Sequence, residues 1–415
     1  METLTQSDAL VTARTSAAVP YVAPRSWIGY EMGSVFNSLV EAKAAALSLK
    51  ATPFQRDWVE ELQRMQLKME VAGTSRIEGA DFTENELDAA ISTSGHPKGL
   101  FTRSQRQARA AAETYRWIAT IPDDRPITED FVCEVHSKMI TGCDDDHCAP
   151  GQLRHSDVNV TFGFPRHRGC EGGHECQAAF SQLIQSVSRE YRHHDPLIQA
   201  MALHYHFAAM HPFLDGNGRT ARALEALMLQ RAGLRDTVFI AMSNYYYEEK
   251  QEYLNVLAEV RRKGHDLTPF IQFGLRGVNV QCQRLFSEIK KNVQRAVFKT
   301  TMYDLFKRLE SPRKRVLAER QLHCLNVLLK AEELESNVFI KRVSDVYEKD
   351  LRNPYKAMVR DVNALIDLGA VRYYQDVAGK QQILAVNLDW PEEITESDFV
   401  KKIKKLPKGR QFAFL

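Results

Sequence analysis

The segment His211-Pro-Phe-Leu-Asp-Gly-Asn-Gly-Arg-Thr-Ala-Arg222 combines a base, an acid, two glycines, an amide and two arginines in one short run. The preceding stretch, Leu197 to Met210, is apolar on nearly all sides and contains no Gly or Pro, so it predicts a buried helix. This helix is expected to end at His211, because the residue before a proline avoids helical geometry. Arg219 to Arg231 is rich in Ala, Leu and Arg and predicts a second helix. The segment is therefore predicted to form the turn between two helices.

This turn has the features of an anion-binding site. Gly216, Asn217 and Gly218 fall at the beginning of the second helix, where backbone N–H groups lack partners and the helix dipole is positive. The glycines allow a phosphate to approach the backbone closely. Arg219 and Arg222 are three residues apart, so we expect them on one helix face, where they would bind successive phosphates.

Two further side chains complete the predicted site. Asp215 suits Mg²⁺, which takes one or two carboxylates together with phosphate oxygens. His211 suits a general base, because an unperturbed histidine has a pKa near ~6.5. For any one of these residues a structural role is the simpler interpretation. Their density in one run favours a nucleotide site.

The run resembles the signature of the Fic family, H-x-F-x-[D/E]-G-N-G-R-x-x-R, and matches it at every fixed position. The commonest activity of that family is transfer of AMP from ATP to a hydroxyl side chain of a target protein. The resemblance implies that His211 takes the proton from a target Ser, Thr or Tyr and that Asp215 holds Mg²⁺. It also implies that Asn217 and the neighbouring amides hold the α-phosphate. Arg219 and Arg222 would then neutralise the β- and γ-phosphates.

A second segment, Thr74-Ser-Arg-Ile-Glu78-Gly79, resembles the inhibitory-helix motif of the family, [S/T]-x-x-x-E-[G/N]. It follows a predicted helix, Asp57 to Ala72, and the glycine after Glu78 is a helix stop signal. The helix dipole disfavours an anion at this end, so Glu78 needs a tertiary partner. The resemblance implies that this partner is Arg222 and that the pair blocks productive ATP binding. A solvated surface glutamate is the alternative.

The segment Gly151-Gln-Leu-Arg154-His-Ser-Asp-Val158-Asn-Val160 resembles the flap of the family. Val158 and Val160 alternate with polar residues such as Asn159, a pattern typical of one strand of a hairpin. The exposed edge of such a hairpin would align a target hydroxyl with the catalytic base by strand addition. A plain surface hairpin is the alternative, and Arg154 would then form a structural salt bridge.

Ser243 to Leu254 resembles the family helix that borders the nucleoside. Asn244 and Tyr253 would contact adenine there. Aromatic residues on a helix are also common in protein cores, which is the alternative interpretation for Tyr253.

The cysteines allow two interpretations. Seven is an odd number, which argues against a complete disulfide framework. Zn²⁺ bound by some of the residues around the flap would fix its two ends, although the C-x4-C and C-x5-C spacings are looser than the usual zinc pairs. Reduced thiols are the alternative. The candidate zinc ligands are Cys143, Cys148, Cys170 and Cys176, with His147, His167 and His174 interspersed.

Composition is consistent with a soluble enzyme. The chain has 415 residues, of which 44% are hydrophobic and 26% charged, and its net charge is +2. These values are ordinary for globular proteins, and the net charge predicts no general attraction to nucleic acid. No apolar run is long enough to cross a membrane, and the polar first residues contain no secretory signal. We therefore expect a cytoplasmic protein.

A separate module is predicted after Pro312 and the basic run Arg313-Lys314-Arg315. The pattern there resembles a winged helix, with predicted helices at 319–330, 340–349 and 355–368 and predicted strands at 370–375 and 382–388. DNA binding is one interpretation, since Tyr355, Lys356 and Arg360 share one side of the third helix. Protein contact is the other, because a fold does not determine a function.

The sequence thus predicts a mainly α protein, with a Fic-type helical bundle, a β-hairpin flap and a C-terminal winged-helix-like α+β domain. The predicted organisation is a flexible leader (1–20), a helical region with the inhibitory motif (21–102), the catalytic core (103–310), the winged-helix-like domain (311–390) and a basic tail (391–415). The predicted function is autoinhibited AMP transfer from ATP, with Mg²⁺, to a target protein or to the chain itself. Removal of AMP, transfer of another phosphate-containing group and a nucleotide-responsive DNA-binding regulator are the alternatives, and a homodimer is an open expectation.

Overall fold

A computed structural model describes residues 21–52, 56–92, 102–155, 158–163, 167–234, 240–308, 312–348, 351–376, 379 and 381–404. The predicted leader, residues 1–20, lies outside the described residues, as does the end of the predicted basic tail, 405–415. The chain divides into two compact units, residues up to Phe286 and residues from Ser287. No helix that the structure describes is both long enough and apolar enough to span a bilayer.

The first unit is built almost entirely from helices, as the sequence predicts. Its N-terminal helices are α1 (Met32–Ala51), α2 (Arg56–Ile77), α3 (Glu84–Ser92), α4 (Arg103–Ala119) and α5 (Glu129–Ile140). A short antiparallel hairpin of β1 (Thr161–Phe162) and β2 (His167–Arg168) follows. The remaining helices are α6 (His174–Ser188), α7 (Pro196–Met210), α8 (Asn217–Leu229), α9 (Met242–Glu248), α10 (Lys250–Arg262) and α11 (Thr268–Lys307).

Helix α7 lies at the centre of this unit. The side chain of Asp195 accepts a hydrogen bond from the Leu197 N–H at 3.0 Å and caps the helix, and Pro196 occupies the first turn. Almost every residue of α7 is buried, which explains why the sequence is apolar on all sides. The helix ends at His211, which adopts a left-handed conformation. Helix α8 begins at Asn217, two residues before the predicted start, so the glycine-rich run forms the corner between α7 and α8.

The second unit combines helices with a small sheet. Its elements after α11 are α12 (Pro312–Ala331), β3 (Glu333–Glu335), α13 (Ser336–Glu348), α14 (Pro354–Leu368), β4 (Val371–Gln375), β5 (Gln382–Val386), α15 (Trp390–Glu393) and α16 (Glu396–Lys404). The strands form an antiparallel sheet in the order β3-β5-β4. The three helices and the β4–β5 hairpin agree with the predicted pattern. Strand β3 was not predicted, because three residues with two glutamates carry no clear period-two signal.

The core of the second unit extends beyond its predicted limits at both ends. Phe298, Met302 and Phe306, on the last turns of α11, are buried in this core, although the sequence predicted a boundary at Pro312. Helix α16 occupies the beginning of the predicted basic tail. Phe399 on α16 is buried against Phe306, with 5.2 Å between the ring centroids, so this part of the tail is not simply solvated.

Candidate functional site

His211 holds its imidazole at the corner between α7 and α8. The backbone is left-handed, with φ of 55° and ψ of 60°, a conformation that a residue with a β-carbon adopts only when its surroundings impose it. The ring Nδ1 donates to the Ala208 carbonyl at 2.7 Å, which leaves Nε2 as the nitrogen with a free lone pair. Phe162 of the hairpin stacks on the imidazole with 3.8 Å between the ring centroids. The ring orientation is therefore fixed on two sides.

Arg154 imposes the backbone geometry of His211. Its guanidinium donates to the His211, Val158 and Cys170 carbonyls, each at 2.7 Å, and the side chain is buried. The salt bridge considered from sequence is therefore not its role, because these partners are backbone carbonyls. Arg261 acts in a similar way on the preceding turn of α7, donating to the Ala209 carbonyl at 2.7 Å. Two arginines thus hold the end of the helix that carries the histidine.

The imidazole of His211 is neutral at physiological pH. Burial lowers its pKa to about 4, and this effect outweighs the hydrogen bond to Ala208 and the nearby Glu78 carboxylate, both of which raise it. A neutral imidazole with a free Nε2 accepts a proton, so the group is in the form that a general base requires.

Buried side chains hold the backbone of the glycine-rich turn in place. The buried Asn217 side chain accepts from the Phe213 N–H and donates to the Phe213 carbonyl, both at 2.9 Å. The amide predicted to hold a phosphate is therefore occupied with the backbone of the turn. His136 of α5 donates to the Asp215 carbonyl at 3.0 Å and stacks on Phe213 with 3.7 Å between the ring centroids. His136 was not predicted as a site residue, because no sequence motif contains it.

Arg219 lies on the acidic side of the turn. Its buried guanidinium is 2.7 Å from the Asp144 carboxylate and 3.6 Å from that of Asp215. The side chain of Asp215 is 37% exposed, and its other oxygen lies 3.1 Å from Nε2 of His147. Among the described residues, Asp144, His147 and Asp215 bring three ligand atoms to within 4.8 Å of one another. Carboxylate oxygens suit Mg²⁺, so Asp215 at the edge of this group fits the predicted metal role.

Arg222 binds different partners, which belong to the segment that resembles the inhibitory-helix motif. Its Nη2 lies 2.5 Å from Oε1 of Glu78, and its Nε donates to Oγ1 of Thr74 at 2.8 Å. Burial has the largest single effect and raises the pKa of Glu78, but the charge and hydrogen bond of Arg222, together with the charge of Arg219, outweigh it, so the pKa is lowered overall. Glu78 is therefore an ionised carboxylate bound to a buried arginine, and it is not a solvated surface residue.

The same carboxylate lies against the beginning of α8. A β-carbon built on Gly218 would be 2.3 Å from Oε1 of Glu78, so only glycine leaves room for this approach. An anion at a helix N-terminus is favoured by the free N–H groups and by the dipole. The predicted anion-binding position thus contains a carboxylate of the chain itself.

Helix α2 holds Glu78 in this position through contacts that no motif marks. Gln66 accepts from the Ala241 N–H at 3.0 Å, and Glu70 accepts from the Ser243 N–H at 2.8 Å. These N–H groups belong to the beginning of α9, so α2 caps α9 from outside the helix. At Gly73 the backbones touch, since a β-carbon there would be 2.4 Å from the Ser243 carbonyl. Burial raises the pKa of Glu70 to about 7.

A cleft of about 330 Å³ opens beside these groups. One end contains Glu78, Arg222 and the turn glycines, and the other end is largely apolar. Tyr253 lines the cleft, and its buried hydroxyl lies 2.8 Å from Nε2 of His204. Asn244 does not line the cleft; its amide donates to Glu248 at 2.9 Å. The apolar end is lined by Phe162, Tyr205, Ala208, Ala209, Leu254 and Leu257.

The hairpin differs in position from the prediction. The paired strands begin at Thr161, not at Val158. The Val158 carbonyl is bound by Arg154, and the side chain of Asn159 accepts from the Gly172 N–H at 3.1 Å, so these residues precede the strand. Val160 adds one hydrogen bond to the ladder, because its carbonyl accepts from the Gly169 N–H at 3.1 Å.

The group of three or more potential metal ligands found among the described residues consists of Asp144, His147 and Asp215, and it includes none of the four cysteines considered for zinc. All seven cysteines are free thiols. Cys143 and Cys148 lie beside the turn, 3.9 Å from Arg219 and from His136 respectively. The other two, Cys170 and Cys176, are 3.7 and 4.0 Å from the guanidinium of Arg154. Cys143 thus contacts Arg219 and Cys148 contacts His136, whereas Cys170 and Cys176 both contact Arg154.

Comparison with known proteins identifies the central segment. The sequence model of the Fic/DOC family matches residues 126–229. The chain is 28% identical over 208 residues to "Protein adenylyltransferase Fic" of Nematostella vectensis, covering 49% of this chain and 45% of the relative. It is 36% identical over 147 residues to the protein of the same name from Aedes aegypti, covering 35% and 27%. The chain thus spans less than half the length of these curated relatives.

A solved structure supports the fold. The crystal structure of a Fic family protein from Desulfovibrio desulfuricans G20 superposes with a TM-score of 0.54 at 18% identity, covering 88% of this chain and 98% of that one. The first unit therefore has a helical fold similar to that of this Fic family protein, with the start of α8 next to the left-handed residue His211. Residues 126–229 are therefore similar to a Fic domain, and the run His211–Arg222 lies within this matched segment.

Proposed function

We propose that this protein is an autoinhibited adenylyltransferase, which transfers AMP from ATP to a hydroxyl group of a protein. The observation that carries the proposal is the Glu78 carboxylate bound between Arg222 and Gly218, at the start of α8. A position that accepts this carboxylate also accepts a phosphate, because both are anions that bind N–H donors and guanidinium groups. The curated relatives are named protein adenylyltransferases, which supports the same reaction.

His211 is the proposed general base. Its Nε2 takes the proton of the target hydroxyl, and the hydroxyl oxygen forms a bond to the α-phosphorus of ATP. The bond between that phosphorus and the bridging oxygen of pyrophosphate breaks, and pyrophosphate leaves with the electron pair. Most of the catalysis is positioning and charge stabilisation, which suits an imidazole fixed by Ala208 and Phe162.

The phosphates are proposed to bind along the turn. The N–H groups at Gly216, Asn217 and Gly218 would bind phosphate oxygens, and Arg222 would neutralise a terminal phosphate once Glu78 has left. Arg219 is paired with Asp144, so it would contact a phosphate only after this ion pair has broken. Asp215 is the residue that would hold Mg²⁺, which supplies positive charge beside the phosphate oxygens when bound.

Inhibition follows from competition for one position. While Glu78 occupies Arg222, the terminal phosphate meets a carboxylate in place of a guanidinium, and ATP cannot adopt the reactive geometry. The adenine would lie at the apolar end of the cleft, which Tyr253 lines and Asn244 does not. The proposed docking surface for the target is the edge of the β1–β2 hairpin together with residues 158–160.

Labelled ATP tests this function directly. Purified Glu78→Gly protein is incubated with a cell lysate and with ATP labelled at either the α- or the γ-phosphate. Label transferred to protein from α-labelled ATP alone supports AMP transfer, and His211→Ala abolishes it. Label from γ-labelled ATP indicates transfer of another phosphate group. Loss of AMP from a previously modified target, without any gain of label, indicates the reverse reaction.

The second unit supports an additional candidate function, DNA binding. Tyr355 on α14 is 52% exposed and Arg360 is 41% exposed, with Lys356 also at the surface. Asp361 on the same helix is buried, and it pairs with Arg320 at 2.9 Å and with Arg360 of this face at 3.5 Å. Salt-sensitive binding of genomic fragments that is lost in Lys356→Ala and Arg360→Ala would support it. Modification of a target protein or of the chain itself belongs to the same proposal, as do a homodimer and a cytoplasmic location. The free thiols favour the cytoplasmic location.

A further inference from the structure

Lys250 is a cation of the cleft that the proposed chemistry does not use. It is the first residue of α10 and lines the cleft together with Glu78, Arg222 and Tyr253. Its Nζ donates to the Ile77 carbonyl at 2.9 Å. In the part of the chain that the structure describes, no ion pair involves Lys250, so its charge is not neutralised by a carboxylate.

The bond to Ile77 places this charge at the end of the inhibitory helix. Ile77 is the last residue of α2, where carbonyl groups lack partners within the helix and the dipole is negative. An ammonium group stabilises such an end. Since Glu78 follows directly, Lys250 binds the helix one residue away from the carboxylate that Arg222 binds.

The charges at this end of the cleft do not balance. Arg222 and Lys250 contribute two positive charges and Glu78 contributes one negative charge. Asp215, the other carboxylate that lines the cleft, lies against Arg219 and His147. Tyr253 lies one helical turn after Lys250 on α10, on the same face, and its hydroxyl interacts with the Arg222 guanidinium. The two cations therefore face the same region, and a polyphosphate carries enough negative charge to pair with both.

We propose that Lys250 is a second phosphate-binding residue beside Arg222, and that the same ammonium group holds the inhibitory helix until nucleotide takes its place. Lysine is a compact cation with three donors, of which the Ile77 carbonyl uses one, and it is a common ligand of phosphate. When α2 withdraws, the ammonium group exchanges a carbonyl for a phosphate oxygen. This inference rests on the proposed nucleotide site and adds a residue to it.

The affinity for nucleotides with different numbers of phosphates tests the phosphate contact. Calorimetry compares Glu78→Gly with Glu78→Gly/Lys250→Met, using ATP and AMP as ligands. We expect the Kd for ATP to rise about tenfold, which corresponds to one charge-assisted contact, while the Kd for AMP stays within about twofold. Lys250→Arg should restore most of the ATP affinity, and Lys263→Met, at the far end of α10, is the matched control. An unchanged Kd for ATP, or an equal loss for AMP, overturns the proposal.

The proposed role of Lys250 in inhibition is tested separately, by the rate of AMP transfer. With Glu78 present and ATP at a saturating concentration, Lys250→Met should raise AMP transfer above the wild-type rate, because α2 loses a bond at its end. No increase would show that Lys250 does not hold the helix. These outcomes are distinct from failure of the proposed function, in which Glu78→Gly itself neither binds ATP nor transfers AMP.

Discussion

The carboxylate of Glu78 lies 2.5 Å from the guanidinium of Arg222, although 144 positions separate the two residues in the chain. The pair joins the end of α2 to the first turns of α8, and it places a negative charge at the start of the helix that follows the catalytic histidine. The surrounding contacts fit this carboxylate closely, since Gly218 leaves it room and Thr74 orients the guanidinium. In this conformation a fully formed anion-binding position thus contains a carboxylate of the chain itself.

Gly218→Ala should abolish AMP transfer even when inhibition has been removed. The added methyl group occupies the position of the Glu78 oxygen, 2.3 Å from the ideal β-carbon, so it displaces the carboxylate and also excludes a phosphate oxygen. We expect Glu78→Gly to be active and Glu78→Gly/Gly218→Ala to be inactive, as measured by label transfer from ATP. An active double variant would show that phosphate does not approach the backbone at this position. Gly33→Ala, at a glycine of α1 with no atoms within 4 Å of its β-position, is the control.

Arg154→Gln should slow catalysis without weakening nucleotide binding. Arg154 fixes the His211 carbonyl and does not line the cleft. A displacement of the imidazole by about 1 Å can cost roughly 100-fold in rate, whereas the phosphate ligands stay in place. In the Glu78→Gly background we expect kcat to fall by about that factor with the Kd for ATP unchanged. An equal change in Kd would instead indicate a general loss of structure, and the exposed Arg262→Gln serves as the comparison.

The pH dependence of transfer should reflect the lowered pKa of His211. An unperturbed imidazole becomes half protonated near ~6.5, but burial lowers the pKa of His211 to about 4. Glu78 raises this pKa, so its removal shifts the value further down. Transfer by Glu78→Gly should therefore keep its rate from neutral pH to about 5 and should decline only at lower pH. A half-maximal rate near ~6.5 would contradict the buried, neutral imidazole.

The corner between α7 and α8 illustrates what the sequence could predict. Pro212, the glycines and the apolar run before them act locally, so both helices and the turn follow from residues close together in the chain. Only the resemblance to the family motif predicted that Arg222 is the partner of Glu78. His136, Gln66 and Glu70 were missed because their partners lie 79 to 175 positions away and no local pattern encodes them. Arg219 and Arg222 lie on one helix, but Arg219 pairs with Asp144 and Arg222 pairs with Glu78. Both partners belong to other segments of the chain, so the sequence of the helix does not predict these contacts.

The docking of α2 should weaken as the pH rises through about 7. Glu70 is buried without a cation among the hydrogen-bond partners that the structure describes, and burial raises its pKa from 4.5 to about 7. Because the folded protein holds this proton more tightly than the unfolded chain, the stabilisation is complete below about 4.5 and is lost as the pH passes through about 7. Between pH 6 and 8 the loss amounts to about 1.4 kcal/mol.

Hydrogen exchange of the α2 amides measures this effect. In the wild-type protein the protection free energy should fall by about that amount from pH 6 to pH 8, after correction for the intrinsic exchange rate. Glu70→Gln, which cannot ionise, should remove the difference. A wild-type protection that is constant across this range would show that Glu70 is already ionised at pH 6.

The most direct test of the central claim is the intact mass of the protein after incubation with Mg-ATP and a cell lysate, together with the masses of the lysate proteins. Four forms are compared: wild type, Glu78→Gly, His211→Ala and the double variant. The account predicts that Glu78→Gly adds the mass of AMP to itself or to a lysate protein at a rate well above that of the wild type, and that both forms without His211 add none. Equal rates for wild type and Glu78→Gly, or AMP addition without His211, would contradict it.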